Sequence, residues 1–149
     1  MMKAGEYWIG DLCYVLTNDA VWDELHDLCF PPDRANWGDR EDGEFTLKDG
    51  RKVATFGTAY GDGCYNDNKG NIGGAYPVDS GSIGCILVSD ITDKDANLKL
   101  GVIHKFEKDF DTDEDSGIIV FGDVEIYTGD YDPNHGDDYD DFDEEDEDE

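Results

Sequence analysis

The apolar residues of this chain come in short runs, and Gly, Asp and Asn stand between them. Ile83-Gly84-Cys85-Ile86-Leu87-Val88, Gly101-Val102-Ile103-His104-Lys105-Phe106 and Ile118-Ile119-Val120-Phe121 are examples. Runs of four to six β-branched or aromatic residues, each closed by turn formers, have the length of strands and are too short for helices. One segment breaks the pattern. Val21, Trp22, Leu25, Leu28 and Cys29 recur at helical spacing behind the cap candidates Thr17, Asn18 and Asp19, and Pro31-Pro32 ends the run. The expectation is a mainly β fold with one helix in the N-terminal half, built as a small antiparallel sandwich or curled sheet with the helix packed on one face.

Seven or eight strands are expected. Glu6 to Leu16 reads as two short strands or as one strand bent by a bulge at Gly10. Residues 31–43 read as a loop with Trp37 as its anchor. Phe45-Thr46-Leu47 and Val53-Ala54-Thr55-Phe56 flank Lys48-Asp49-Gly50-Arg51, and the Asp-Gly pair predicts a type I′ hairpin. Residues 57–81 hold seven glycines and read as a series of tight turns. Val124 to Tyr127 forms a last hairpin with Ile118–Phe121 around Gly122-Asp123.

Charge narrows the partners. The 149 residues carry a net charge of −28. Residues 129–149 hold thirteen acids and no Lys or Arg, so the organisation expected is one β-rich domain over 1–128 and a disordered acidic tail over 129–149. The body alone has 26 acids against 11 bases, a net of −15. Its bases are scattered, so direct contact with nucleic acid or with an anionic membrane surface is not expected. A basic protein, or one that itself binds nucleic acid, fits this charge. No run nears the 18 apolar residues of a membrane span, and Met1-Met2-Lys3-Ala4-Gly5-Glu6 lacks the apolar core of a signal peptide. Cys13, Cys29, Cys64 and Cys85 form no Cys-x-x-Cys pair. The expectation is a cytoplasmic protein, in a host cytoplasm if it is viral, with reduced thiols.

Three stretches stand out: Gly10-Asp11-Leu12-Cys13-Tyr14-Val15, Gly57-Thr58-Ala59-Tyr60-Gly61-Asp62-Gly63-Cys64-Tyr65, and Val78-Asp79-Ser80-Gly81-Ser82-Ile83-Gly84. Over residues 7–16 and 55–90 they resemble an uncharacterised family of small phage and bacterial proteins. That family has a Gly-Asp-(Pro)-Cys-Tyr-Val start, a Tyr/Trp-Gly-Asp-Gly-x-Tyr centre and a Val-Asp-x-Gly-x-Ile/Leu-Gly strand entry. This chain departs at Leu12, where Pro is more typical. The resemblance implies a β fold and a viral or bacterial origin, and no activity.

The residues themselves allow two readings of those stretches. An Asp in Gly-Asp-Gly bonds its own backbone two residues on and fixes a turn. Alternatively Asp11, Asp62 and Asp79 converge with Tyr60 at one end of the sheet, where grouped carboxylates could hold a cation or do acid–base work. Asn66-Asp67-Asn68-Lys69-Gly70-Asn71 has a Lys where a calcium loop needs an acid or amide before its Gly, so it reads as a hairpin turn. His26, His104 and His135 lie far apart, and Cys85, which His104 could in principle activate, sits in an apolar run. No nucleotide, dinucleotide or nucleophile-elbow motif occurs, and no metal or cofactor is expected.

The reading of function is a non-enzymatic acidic accessory protein that binds a basic or nucleic-acid-binding protein, with nucleic-acid mimicry as its sharpest form. In the tail Tyr131, Asp137, Asp138, Tyr139, Asp140, Asp141, Phe142, Asp143 and Glu144 are the partner-binding candidates, aromatics embedded in acids. The alternatives are an enzyme or metal-binding protein built on Asp11, Asp62 and Asp79, and a virion or structural protein.

Overall fold

The computed structural model describes residues 1–30, 42–72 and 74–129. Its strands are β1 (Gly5–Gly10), β2 (Gly43–Thr46), β3 (Lys52–Gly57), β4 (Gly63–Asp67), β5 (Tyr76–Val78), β6 (Ser82–Leu87), β7 (Gly101–Phe106), β8 (Thr112–Asp115), β9 (Ile118–Phe121) and β10 (Val124–Tyr127). The helix α1 spans Asp19–Cys29. The strands form two antiparallel five-stranded sheets, in the orders β2-β3-β6-β1-β7 and β5-β4-β10-β9-β8. The expected mainly β sandwich with one helix is the architecture found.

The period-two alternation of strands explains how the layers are sorted. On β1, Tyr7 and Ile9 point between the sheets, where they join Phe56, Ile83, Cys85, Tyr76, Ile119, Phe121 and Ile126. Trp8 points the other way and packs with Val53 and Ile86 beneath Leu25 and Cys29 of α1. The first sheet is therefore buried on both faces at its centre. That is why β1, β3 and β6 read as nearly continuous apolar runs, whereas most strands of the second sheet alternate.

Asn18 caps α1, accepting from the N–H groups of Ala20 and Val21 at 3.0 and 3.3 Å. Asp93 accepts from the Thr17 and Asn18 N–H groups at 2.6 and 3.2 Å, which fixes the approach to the helix. The helix stops at Cys29, two residues before Pro31, because the residue ahead of a proline is pushed out of helical geometry. Leu25 and Cys29 are buried, while Val21, Trp22 and Leu28 are half-buried at the margin of the face.

The structure corrects four expectations. Asp11 to Leu16 is not a second strand: Leu12–Tyr14 winds into a 3-10 turn, because the Asp11 carboxylate accepts from the Cys13 N–H and offers the backbone a local alternative to the sheet. The β2–β3 connection is not type I′. Gly50 takes φ +96° but Asp49 stays at negative φ, and Leu47 N–H bonds Arg51 C=O, so only the glycine occupies the left-handed region. The Gly-rich stretch contains strands β4 and β5 as well as turns, and Thr112–Asp115 forms β8, giving ten strands. Residues 31–41, with Trp37, lie outside the described residues, and Gly43 already belongs to β2.

Candidate functional site

Asp11 follows the last residue of β1 and is fully buried. Its carboxylate accepts from the N–H groups of Cys13 and Asp79 at 3.0 and 2.7 Å, and from the N–H and hydroxyl of Ser80, the hydroxyl at 2.7 Å. It thereby ties the end of β1 to the turn between β5 and β6, two segments 68 residues apart. Charged acceptors make the stronger hydrogen bonds, and four donors make up for the lost hydration of this one.

Asp79 and Asp62 are exposed. They share this end of the molecule with Asp11. Burial pushes the Cys13 thiol well above its ordinary value, and the negative charges of Asp11, Asp79 and Asp62 push it the same way. Tyr60 is 65% exposed on the neighbouring turn. That turn is held by the Thr58 and Tyr65 hydroxyls, both of which donate to Gly61 C=O, at 2.6 and 2.8 Å. The three carboxylates all act on Cys13, but the one that is buried, Asp11, is already saturated with donors. Among the described residues no three His, Cys, Asp or Glu side chains are grouped to hold a metal ion.

A second polar cluster was not singled out in the sequence. Asp67, buried at the end of β4, accepts from the hydroxyl of Tyr76 on β5. The same hydroxyl meets Nε2 of His104 on β7 at 2.8 Å. Asp67 also accepts from the N–H groups of Lys69 and Asn71 and from the Asn71 amide, at 2.8, 3.0 and 2.8 Å. That pattern is the turn-fixing role expected of residues 66–71. Burial acts to raise the Asp67 carboxyl, yet the donors from Tyr76, Asn71 and Lys69 hold it below the usual range. Burial lowers His104 and outweighs the attraction of Asp67. Burial and Asp67 together raise the Tyr76 hydroxyl far up. Because the hydroxyl donates its one proton to Asp67, neutral His104 carries its own proton on Nε2 and gives it to the phenol oxygen. The chain Asp67–Tyr76–His104 thus links the two sheets through polar groups. Cys85, by contrast, is fully buried between the sheets, burial raises its thiol, and His104 engages Tyr76.

A third feature lies on α1. Asp19, Asp23 and Asp27 are spaced four residues apart, and all three are exposed. They form a row along one face with a carboxylate every ~6 Å. The four-residue spacing is present in the sequence, and it becomes a row only on a helix. The tail candidates Tyr131, Asp137, Asp138, Tyr139, Asp140, Asp141, Phe142, Asp143 and Glu144 lie outside the described residues. No helix among the described residues is long and apolar enough to cross a membrane. Compared with protein-family models, curated proteins and solved structures, the chain finds no match in any of the three.

Proposed function

We propose that this chain is a non-enzymatic acidic protein that binds a basic protein partner through its carboxylate surface, the row Asp19–Asp23–Asp27 and the C-terminal acids forming the contact. The partner is of the kind that otherwise holds nucleic acid, and the protein is an accessory protein of the phage or bacterial sort that the sequence resembles.

The row on α1 is the observation that carries this reading. Like charges at four-residue spacing destabilise a helix by about 0.2–0.5 kcal/mol per pair. Asp27 also sits in the last turn, where the helix dipole disfavours an anion, an effect worth ~0.3–1 kcal/mol. Asp19 stands in the first turn, where the dipole favours an anion, but Asp23 and Asp27 are placed against the local rules of helix stability on an exposed face, which points to a use outside the fold. The described residues carry 23 acids against nine Lys and Arg, so the row lies in a field of one sign.

Displacement of duplex DNA from a cationic DNA-binding protein tests the reading. The chain should compete, with an affinity that falls progressively as salt rises. Replacing Asp19, Asp23 and Asp27 together by Asn should weaken competition roughly 3- to 150-fold, since exposed ion pairs contribute about 0.2–1 kcal/mol each. Asp62→Asn should change little. An affinity indifferent to salt that collapses with Asp62→Asn alone would overturn the reading in favour of a site at the Gly-rich turns.

A further inference from the structure

Each sheet edge is a row of unpaired backbone groups that proteins usually blunt. Three of the four edges here are blunted. Edge β5 is three residues long and contains Pro77. Edge β8 carries Asp113, Glu114 and Asp115. Edge β2 is four residues long, with Glu44 in ion pairs to Lys52 and the N-terminus. Edge β7 is six residues long, has no acid and no proline, and exposes Ile103 at 46%. Among the described residues no backbone hydrogen bond reaches its outer side. Instead a cleft of about 330 Å³ runs along it, with Lys69, His104, Lys105 and Asp123 in its walls. A neighbouring cleft of about 350 Å³ shares Lys105 and Asp123 and adds Lys108.

Charge is divided unevenly over the body. Lys3, Lys69, Lys99, Lys105 and Lys108 lie on β7, in the turns beside it or across its clefts. The acids of this region are Glu6 opposite Lys105, Asp67 beside His104, Glu107, Asp109 and Asp123. The region is therefore near neutral, and the remaining described residues sum to −14. A polyanion meets net negative charge on the rest of the described body taken together.

The segment that follows the described residues is such a polyanion, and it can reach this edge. Gly129 lies against Ser116 and Gly117, at the far end of β10 from Val124, which borders the cleft. Five residue steps, from Val124 at the start of β10 to Gly129 just past its end, separate the two points by at most ~17 Å. Returning that distance takes five or six extended residues. The stretch that arrives begins near Gly136, where the carboxylates are densest.

We propose that residues 136–149 of the same chain seat along the open edge of β7. Their carboxylates accept from Lys69, Lys105, Lys108 and the outer N–H groups of the strand, and Tyr139 or Phe142 covers Ile103. The contact forms within one molecule and needs no partner, so it holds or fails independently of the function proposed above. A basic partner that grips the tail has to displace it from this edge, which makes the edge a regulator of tail availability.

Zero-length carbodiimide cross-linking of the free full-length chain, mapped by mass spectrometry, decides the matter. Cross-links from the acids of 136–149 should fall on Lys69, Lys105 and Lys108 at least fivefold more often than on Lys48, Lys52 or Lys94. They should reside in monomer and fade in ~0.5 M salt, where the screening length is only a few ångströms. The variant Lys105→Glu/Lys108→Glu, folded by its near-ultraviolet dichroism, should lose the links to Lys69 as well. An even spread over all lysines, links confined to covalent dimers, or undiminished Lys69 links in the variant would each overturn the proposal.

Discussion

The carboxylate of Asp11 receives both the backbone N–H and the hydroxyl of Ser80, and so joins the end of the first strand to a turn 69 residues further on. Removing it leaves part-buried N–H groups without acceptors, at about 1–3 kcal/mol for each group that water cannot reach. Asp11→Ala should therefore lower stability by about 3 kcal/mol or more in urea denaturation. Asp11→Asn, which keeps the shape but loses the charge, should cost less. A working carboxylate would show the opposite pattern, with stability kept and activity lost.

Gly101 tests the close packing beneath the helix layer. It stands opposite Gly10 across the β1–β7 pair, and its extended backbone would accept any residue. Space is what it lacks. A Cβ there would lie 2.4 Å from the Trp8 ring and 2.5 Å from the Ile9 carbonyl oxygen. Gly101→Ala should cost about 2–3 kcal/mol, as overpacking of a filled core does. It should also disturb the hydrogen bond from the Trp8 indole to the Leu98 carbonyl, 3.0 Å long, which tryptophan fluorescence would register.

The Asp67–Tyr76–His104 chain gives stability a definite pH dependence. His104 is lowered by burial, so the unfolded chain binds its proton first as pH falls below about 6.5. Stability then declines from that pH down to the folded value. Asp67 is held low by its donors, so its contribution is present above about 3.9 and is lost as pH falls toward its folded value. Both slopes have the same sign. Denaturation between pH 7 and 5 should show the first decline, and His104→Gln should flatten it. Tyr76→Phe should cost about 1–3 kcal/mol at pH 7, because a buried carboxylate and the imidazole both lose the same partner.

The helix face gives a graded prediction. Leu25 is 3% exposed and packs with Trp8 and Leu16, so Leu25→Ala should cost about 2–5 kcal/mol. Trp22 is only half-buried, and Trp22→Ala should cost less, about 2 kcal/mol. Equal losses in thermal denaturation would mean that the indole of Trp22 is a full member of the core.

Much of the fold was legible in the sequence because the signals were local. The helix was marked by 3.6-residue spacing, an Asn cap and a following proline, and strands β3, β6, β7, β9 and β10 by β-branched runs. The misses share a cause. Strands β4, β5 and β8 contain Asn, Pro or consecutive acids, poor strand formers taken on their own, and they are strands because a neighbour in the sheet supplies their hydrogen bonds. Asp11 looked like a turn former or a site residue, and composition could not say which. Its role was settled by Asp79 and Ser80, brought to it by the sheet order. His104, Tyr76 and Asp67 stand in three separate segments, and only the stacking of two sheets places their polar atoms together. The sequence by itself determined the β architecture, the single helix and the excess of negative charge, since periodicity, capping and charge are properties of neighbours along the chain. The tertiary structure alone decided which carboxylates are buried braces, which form an exposed row and which edge stays open. Those depend on pairings across tens of residues, which no local pattern records.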